Sequence, residues 1–458
     1  MRHTAVISLL ALSSVLSACT LAPKYIQSAP PVATAWPVEA PAASDAPLNA
    51  SDAPLKWRDL FTDPRLQATI NLALEQNRDL RVAALNVEKA QAQYRIARAD
   101  LLPAIDASIS NPRNQDSQGY TASLGLSAYE VDLFGRVRSL KNAAVESFFA
   151  ERENRNAVQI SLIAAVATQW LTLAADHDQL WLARETYKTR ADALTIAEGR
   201  ARIGVLSDQD LASIEVLAQT ARADVARLQT VVDQDKAALT LLTGAPLTAD
   251  LLPDGLKDGQ VAQSLPVGLP SDALLDRPDV LAAEHDLKSA NANIGAARAA
   301  FFPRISLTGS TGSSSSDLDD LFKSGNGAWS FVPTISIPLF AGGANAASLK
   351  SAEASRDIAV AQYEKAIQSA FSEVSDALAV RARIDERLNA QTAATDAAQR
   401  SLTLSQARYD NGVDSYLTLQ DAQRTLYASQ QTLIGLQALR ATNLVALYKA
   451  LGDDGSLQ

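Results

Sequence analysis

One cysteine, one methionine and three histidines in 458 residues leave this chain almost without soft ligands or imidazole bases. Zinc sites, disulfide scaffolds and most histidine-dependent catalysis are disfavoured with them. His177 and His285 fall on helical stretches, no glycine-rich loop follows a strand, and Ser313 to Ser316 read as a hairpin loop rather than a nucleophile elbow. The chain is therefore not expected to be an enzyme or to hold a metal or cofactor. Aromatic residues make up only 5%, and 20 glycines with 18 prolines are too few for a low-complexity chain. Basic residues are in deficit, 41 against 51 acidic, for a net charge of −10 without any basic block. Nucleic acid is not an expected partner. What is present is 47% apolar residues on a chain long enough to bury more than one core.

The amino terminus begins with Arg2, continues through an apolar run and closes with Leu16-Ser17-Ala18-Cys19. Residues 1–18 read as a secretory signal peptide, too short to span a bilayer as a mature helix. Small residues before the lone cysteine resemble the lipobox of bacterial lipoproteins, which implies that Cys19 becomes a lipid-modified amino terminus. Several acyl chains, at about 0.8 kcal/mol per buried CH₂, would hold it on a membrane. Thr20, rather than Asp, follows the cysteine, which favours the outer membrane. Residues 19–56, rich in Pro and Ala, read as a lipidated tether.

The rest of the chain is written twice. Ala97-Arg98-Ala99 with Pro103 is matched 200 positions later by Ala297-Arg298-Ala299 with Pro303. Arg200 with Gly204-Val205 is matched at an offset of 208 by Arg408 with Gly412-Val413, and Leu242-Thr243-Gly244 by Ala450-Leu451-Gly452. A first repeat over 57–244 and a second over 279–452 flank a connector at 245–278, and 453–458 form a short tail. Each repeat has a proline-free helical stretch, 136–203 and 344–411, that would run roughly 100 Å at 1.5 Å per residue. Shorter helices are expected over 64–101, 207–242, 279–300 and 413–451. Leu211, Ala218, Val225, Val232 and Leu239 recur every seventh residue, as do Leu419, Leu426 and Leu433, the period of coiled-coil packing.

Between the helices lie β-hairpins, at about 103–133 and 303–340. Tyr120, Ala122, Leu124, Leu126 and Ala128 alternate with Thr121, Ser123, Gly125, Ser127 and Tyr129, and Trp329, Phe331, Pro333, Ile335, Ile337 and Leu339 with Ser330, Val332, Thr334, Ser336 and Pro338. One apolar face over about ten residues is what a transmembrane β-strand needs, although a soluble hairpin would alternate the same way. Four strands cannot close a barrel, and an open edge cannot be left in hydrocarbon, so several chains would share one barrel. Two chains would give eight strands and three would give twelve with a lumen. The sequence does not count chains; a transport function selects three.

With the lipobox, the doubled Ala-Arg-Ala and Pro, Leu133-Phe134-Gly135, Arg277-Pro278-Asp279-Val280 and the two turn glycines in place, the chain resembles the TolC-like outer-membrane efflux family, lipoprotein branch. The resemblance implies an α+β membrane protein, a homotrimer with a 12-stranded β-barrel continued by a 12-helix α-barrel across the periplasm. It implies a passive exit duct in the outer membrane, serving a periplasmic adaptor and an inner-membrane pump of the resistance-nodulation-division type. A protein-secretion duct of the same architecture, or a lipid-anchored structural coiled coil, stand as alternatives. The adaptor would dock on hairpin tips carrying Arg200, Gly204, Val205, Leu206, Arg408, Gly412 and Val413. Leu417, Asp421 and Arg424 fall on one helical face turned away from the seam, and the family places a leucine and an aspartate there as constriction rings. Tyr409 and Arg424 would latch neighbouring hairpins. Gln209 and Ser213 stand at the matching positions of the first repeat, so only one hairpin would gate.

Overall fold

The computed structural model describes residues 20–33, 36, 56–111, 119–257, 259–262 and 271–452. The expected signal peptide at 1–18, Cys19, residues 37–55 and the tail after 452 lie outside them. The chain divides into two compact units, one of Met1–Pro31, Ala84–Asn154 and Asp279–Ala366, the other of Val32–Ala83, Arg155–Pro278 and Ile367–Gln458.

The first repeat runs α1 (Pro64–Gln76), α2 (Arg78–Ala99), β1 (Ile105–Ser110), β2 (Tyr120–Glu130), α3 (Arg136–Arg202) and α4 (Asp208–Thr243). The second runs α5 (Pro278–Ala299), β3 (Arg304–Ser315), β4 (Gly327–Ser336), α6 (Ala344–Asp410) and α7 (Tyr416–Leu451). The long helices α3 and α6 have 67 residues each and stop within one residue of the expected ends. Ser313 to Ser315, expected in a loop, pair within β3 instead.

In the first unit the four strands form one antiparallel sheet in the order β1-β2-β3-β4. Residues directly opposite in a ladder share a face. The register sets Ile105 opposite Leu126, Ala107 opposite Leu124, Leu126 opposite Gly309, Leu307 opposite Pro333 and Ile305 opposite Ile335. One face thus collects the apolar side chains of all four strands except Val332 and Ala328, which lie opposite Thr308 and Gly312 on the other. The other collects hydroxyls that bond across strands, Ser108 to Ser123 at 3.0 Å and Ser310 to Ser330 at 2.8 Å. Gly312 sits where β2 crosses closest, since a Cβ there would come within 2.1 Å of the Ala122 carbonyl oxygen. The alternation does not continue through Ala128. A bulge between Leu126 and Tyr129, with Ala128 at φ 47°, shifts the register and puts Tyr129 opposite Leu307, on the apolar face.

The second unit is helical. Of the residues expected at seven-residue spacing, Ala218, Val232 and Leu239 of α4 and Leu419 and Leu426 of α7 are buried, while Leu211, Val225 and Leu433 are half-buried. Part of α3 is apolar enough by composition to cross a bilayer, yet Ile163, Val166, Trp170 and Leu171 are fully buried against the protein. The connector is held by specific bonds: Trp170 Nε1 donates to the Leu251 carbonyl at 2.9 Å, and Phe61 bridges Val261. Asp63 caps α1 by accepting from the Arg65 amide at 2.8 Å, with Pro64 in the first turn.

The helix expected over 64–101 is broken at Asn77, whose ψ of 133° is extended. Its side chain makes the break worthwhile by capping two helices, accepting from the Leu80 amide and donating to the Leu242 carbonyl, at 2.9 and 2.8 Å. Two hundred residues later Arg277, just before α5, donates to the Ala450 carbonyl at 2.6 Å. Leu242 and Ala450 are themselves 208 apart, so both repeats end their last long helix against a side chain from the start of a shorter one. Gly244 and Gly452 follow, both left-handed at φ 69° and 71°.

Candidate functional site

Two turns end the helical hairpins of the second unit. At the first, the Gly204 amide donates to the Ala201 carbonyl at 2.9 Å and the Val205 amide to the Arg200 carbonyl at 3.0 Å. At the second, Gly412 donates to Tyr409 and Val413 to Arg408, both at 2.9 Å. Both are Schellman caps, which need a left-handed residue, and Gly204 and Gly412 have φ of 76° and 71°. The caps leave Ile203, Val205 and Val413 pointing outward, each more than 60% exposed. These three exposed apolar side chains are open to contact with a partner.

The second tip is braced by charge. Arg408 Nε and Nη2 donate to both Asp414 carboxylate oxygens, at 2.7 and 2.9 Å, spanning the turn glycine. The guanidinium holds the Asp414 carboxyl below its usual range, so this brace persists through mild acidification. Tyr409 and Tyr416 pack edge to face at 5.6 Å across the same turn.

On α7, Leu417 is 63% exposed and Asp421 and Arg424 are exposed beside it, on a face separate from the buried Leu419 and Leu426. A row of apolar, acidic and basic side chains free of packing can meet equivalents from other chains. Within one chain, Arg424 pairs with Asp421 on its own helix, and the ring of Tyr409 rests on Tyr416.

The contact between hairpins is made elsewhere, by residues that sequence reasoning missed. Tyr427 of α7 donates its hydroxyl to Asp224 of α4 at 2.7 Å, and the Arg190 guanidinium of α3 lies 5.7 Å from the Tyr427 ring centre. Burial and the Asp224 carboxylate both raise the Tyr427 pKa, keeping the phenol a donor at physiological pH. Polar residues 203 positions apart on different repeats carry no local signal of such a bond. In the first unit the sheet joins the helices through Glu130, which accepts from Arg136 at 2.7 and 2.8 Å and from Arg304 at 2.5 Å.

The family model described as "Outer membrane efflux protein" matches residues 69–245 and 269–453, one segment for each repeat. The chain belongs to the outer membrane efflux protein family. It is 45% identical to the probable efflux pump outer membrane protein TtgC of Pseudomonas putida, over 97% of this chain and 95% of that protein. It is 38% identical to the outer membrane protein OprJ of Pseudomonas aeruginosa, over 98% of this chain and 96% of that protein. The open-state outer membrane channel MtrE of Neisseria gonorrhoeae superposes with a TM-score of 0.85 at 41% identity, covering 95% of this chain and 98% of that one. The α+β architecture of long paired helices and a small antiparallel sheet is the architecture of this family, whose members act in efflux at the outer membrane.

Proposed function

We propose that three copies of this chain form the exit duct of a tripartite efflux pump, taking small molecules passively from a periplasmic adaptor and an inner-membrane pump to the exterior. The observation that carries the reading is the sheet. Most of its apolar side chains gather on one face, Trp329 is 80% exposed, and among the described residues no strand pairs with the outer edge of β1 or of β4. An amphipathic sheet with two free edges is stable in a bilayer only when those edges are paired. Pairing β4 of one copy with β1 of the next closes twelve strands around a lumen, turns the apolar face to lipid and the hydroxyl face to water.

In the trimer, Leu417 would supply the apolar constriction and Asp421 a ring of carboxylates that favours cations at the mouth. Arg200, Gly204, Val205, Leu206, Arg408, Gly412 and Val413 would receive the adaptor, and a lipid on Cys19 would anchor each copy. To latch a neighbouring hairpin, Tyr409 and Arg424 would exchange their contacts with Tyr416 and Asp421 for partners on the next copy.

The test is single-channel recording in planar bilayers. The wild type should give low, step-like conductance, and Leu417→Val with Asp421→Ala should raise it several-fold. Unchanged conductance would put the constriction elsewhere, and absence of steps from a purified, folded protein would end the duct reading.

A further inference from the structure

The residues that follow the lipid-site cysteine are not a free tether. In the first unit, residues 20–27 run antiparallel to α5. Arg298 Nη1 donates to the Leu21 carbonyl at 3.2 Å, and Asn291 Nδ2 to the Pro23 carbonyl at 2.8 Å. Further along, the Tyr25 hydroxyl donates to Glu284 Oε1 at 2.9 Å, and Lys288 lies 5.3 Å from the Tyr25 ring centre. The segment also reaches both neighbouring helices. Thr20 bonds Ser139 of α3 at 3.1 Å, and Gln27 Nε2 donates to the Tyr363 hydroxyl of α6 at 3.1 Å.

The groove is shaped for main chain. At Gly295 an added Cβ would lie 2.5 Å from Ser139 Oγ, 2.7 Å from the Ala22 amide nitrogen and 2.9 Å from the Ala22 Cβ. A glycine inside a helix lowers helix stability, and here its missing side chain is the space the segment occupies. The helix partners come from both repeats, α3 from the first and α5 and α6 from the second.

We propose that residues 20–27 are a strap whose seating in this groove locks the two repeats of the first unit together and fixes where the amino terminus leaves the protein. The strap begins against the last turn of α5, four residues before β3 starts, so a lipid carried one residue ahead of Thr20 leaves the chain beside the sheet that enters the membrane. A free tether would let the lipid insert anywhere within its reach; the strap sets its height. This deepens the anchoring role of Cys19 under the proposed function, and rests on it only for the lipid.

Three full-length variants separate the two. In the first, Cys19→Ala behind a non-lipoprotein signal peptide keeps the strap and removes the lipid. In the second, residues 20–27 become a Gly/Ser stretch of equal length behind an intact Cys19, keeping the lipid and removing the strap. The third is Gly295→Ala, which strengthens the helix while obstructing the strap. Readouts are resistance of the oligomer to heat in detergent, protease access to the amino terminus, and palmitate labelling. The strap variants should be labelled like the wild type, dissociate about tenfold faster or more at fixed temperature, having lost several half-buried hydrogen bonds, and be nicked at the amino terminus. The Cys19→Ala chain should keep wild-type heat resistance. If the Gly/Ser and Gly295→Ala chains are as heat-resistant and protected as the wild type, the strap is overturned. If the wild type takes up no palmitate, the lipid reading fails while the strap result stands.

Discussion

The seam of α4 contains one residue that does not belong in a coiled-coil core. Ile214, Ala221 and Leu228 are buried at seven-residue intervals, and the next position in that row is Asp235. Gln169 Nε2 of α3 donates to Asp235 Oδ1 at 2.9 Å, while the other carboxylate oxygen is buried with no N–H or hydroxyl donor. Asp176 of α3 lies within hydrogen-bonding reach of the Asp235 carboxylate, so the pair is satisfied when the Asp176 carboxyl carries a proton. Burial and the Asp235 carboxylate push the Asp176 pKa up to about 7, with Arg227 opposing them. A folded chain then holds a proton between about pH 4 and pH 7 that the unfolded chain has lost, and stability falls as pH rises through that window. Three pH units correspond to roughly 4 kcal/mol for a fully buried group, and because Asp176 is only half-buried, solvent screening reduces the figure to about 1–2 kcal/mol per chain. Asp176→Asn removes the titration while keeping the shape. Thermal unfolding in detergent at a fixed scan rate, at pH 4.5 and pH 8, should show the wild type losing a few degrees relative to the variant on going to the higher pH. Parallel pH profiles for the two proteins would refute the shared proton.

Arg277→Ala should cost about 3 kcal/mol, because it strands the buried Ala450 carbonyl; Glu373, a further partner at 2.9 Å, is 44% exposed and stays solvated, which keeps the loss at the lower end. Asn77→Ala at the equivalent clasp should cost about 1–2 kcal/mol, since the lost bonds are neutral. Denaturation in detergent ranks the two, and a larger loss from Asn77 would break the equivalence. Gly244→Ala places a Cβ 2.5 Å from the Gln76 carbonyl oxygen in a left-handed residue, and should lower expression of folded protein more than Gly435→Ala, where the space is open. Tyr427→Phe removes the bond from α7 to α4 with no change of volume, and should increase protease cutting at the Gly412 turn; wild-type cutting rates would mean that the bond contributes little.

Long helices and their turns were legible because both follow from short-range rules. A proline-free, alanine-rich run must be helix, a left-handed glycine must end it, and α3 and α6 stop where Gly204 and Gly412 dictate. The strands were legible from their period of two until Ser127 and Ala128, where a bulge inserts a residue that no local preference announces. The break at Asn77 was readable in principle. The repeat sets Asn77 opposite Arg277 and Arg78 opposite Pro278, and a proline in one copy marks a helix start in both. The strap was not readable from its own composition, since Pro and Ala rich segments are extended whether free or docked. Its trace lies in the receiving helix, as a glycine at 295 that helix propensity alone would replace.

The candidate gate shows the same limit from the other side. Heptad spacing separates the buried Leu419 and Leu426 from the exposed Leu417 and Asp421, and so identifies a face that one chain does not use. It does not say which partner each polar group takes. Arg424 satisfies Asp421 on its own helix, and the bond that crosses between hairpins falls to Tyr427 and Asp224. A periodic pattern is a property of one helix and can be read from one sequence; a polar pair is a property of two surfaces, and its members become visible only once the repeats are set side by side. The exposed Leu417 row and the unpaired edges of β1 and β4 are therefore one kind of observation. Each is a surface whose pattern is complete in one chain and whose partner is not, and the proposed symmetric assembly would supply both at once, since every copy would bring an edge and a leucine to meet those of the next.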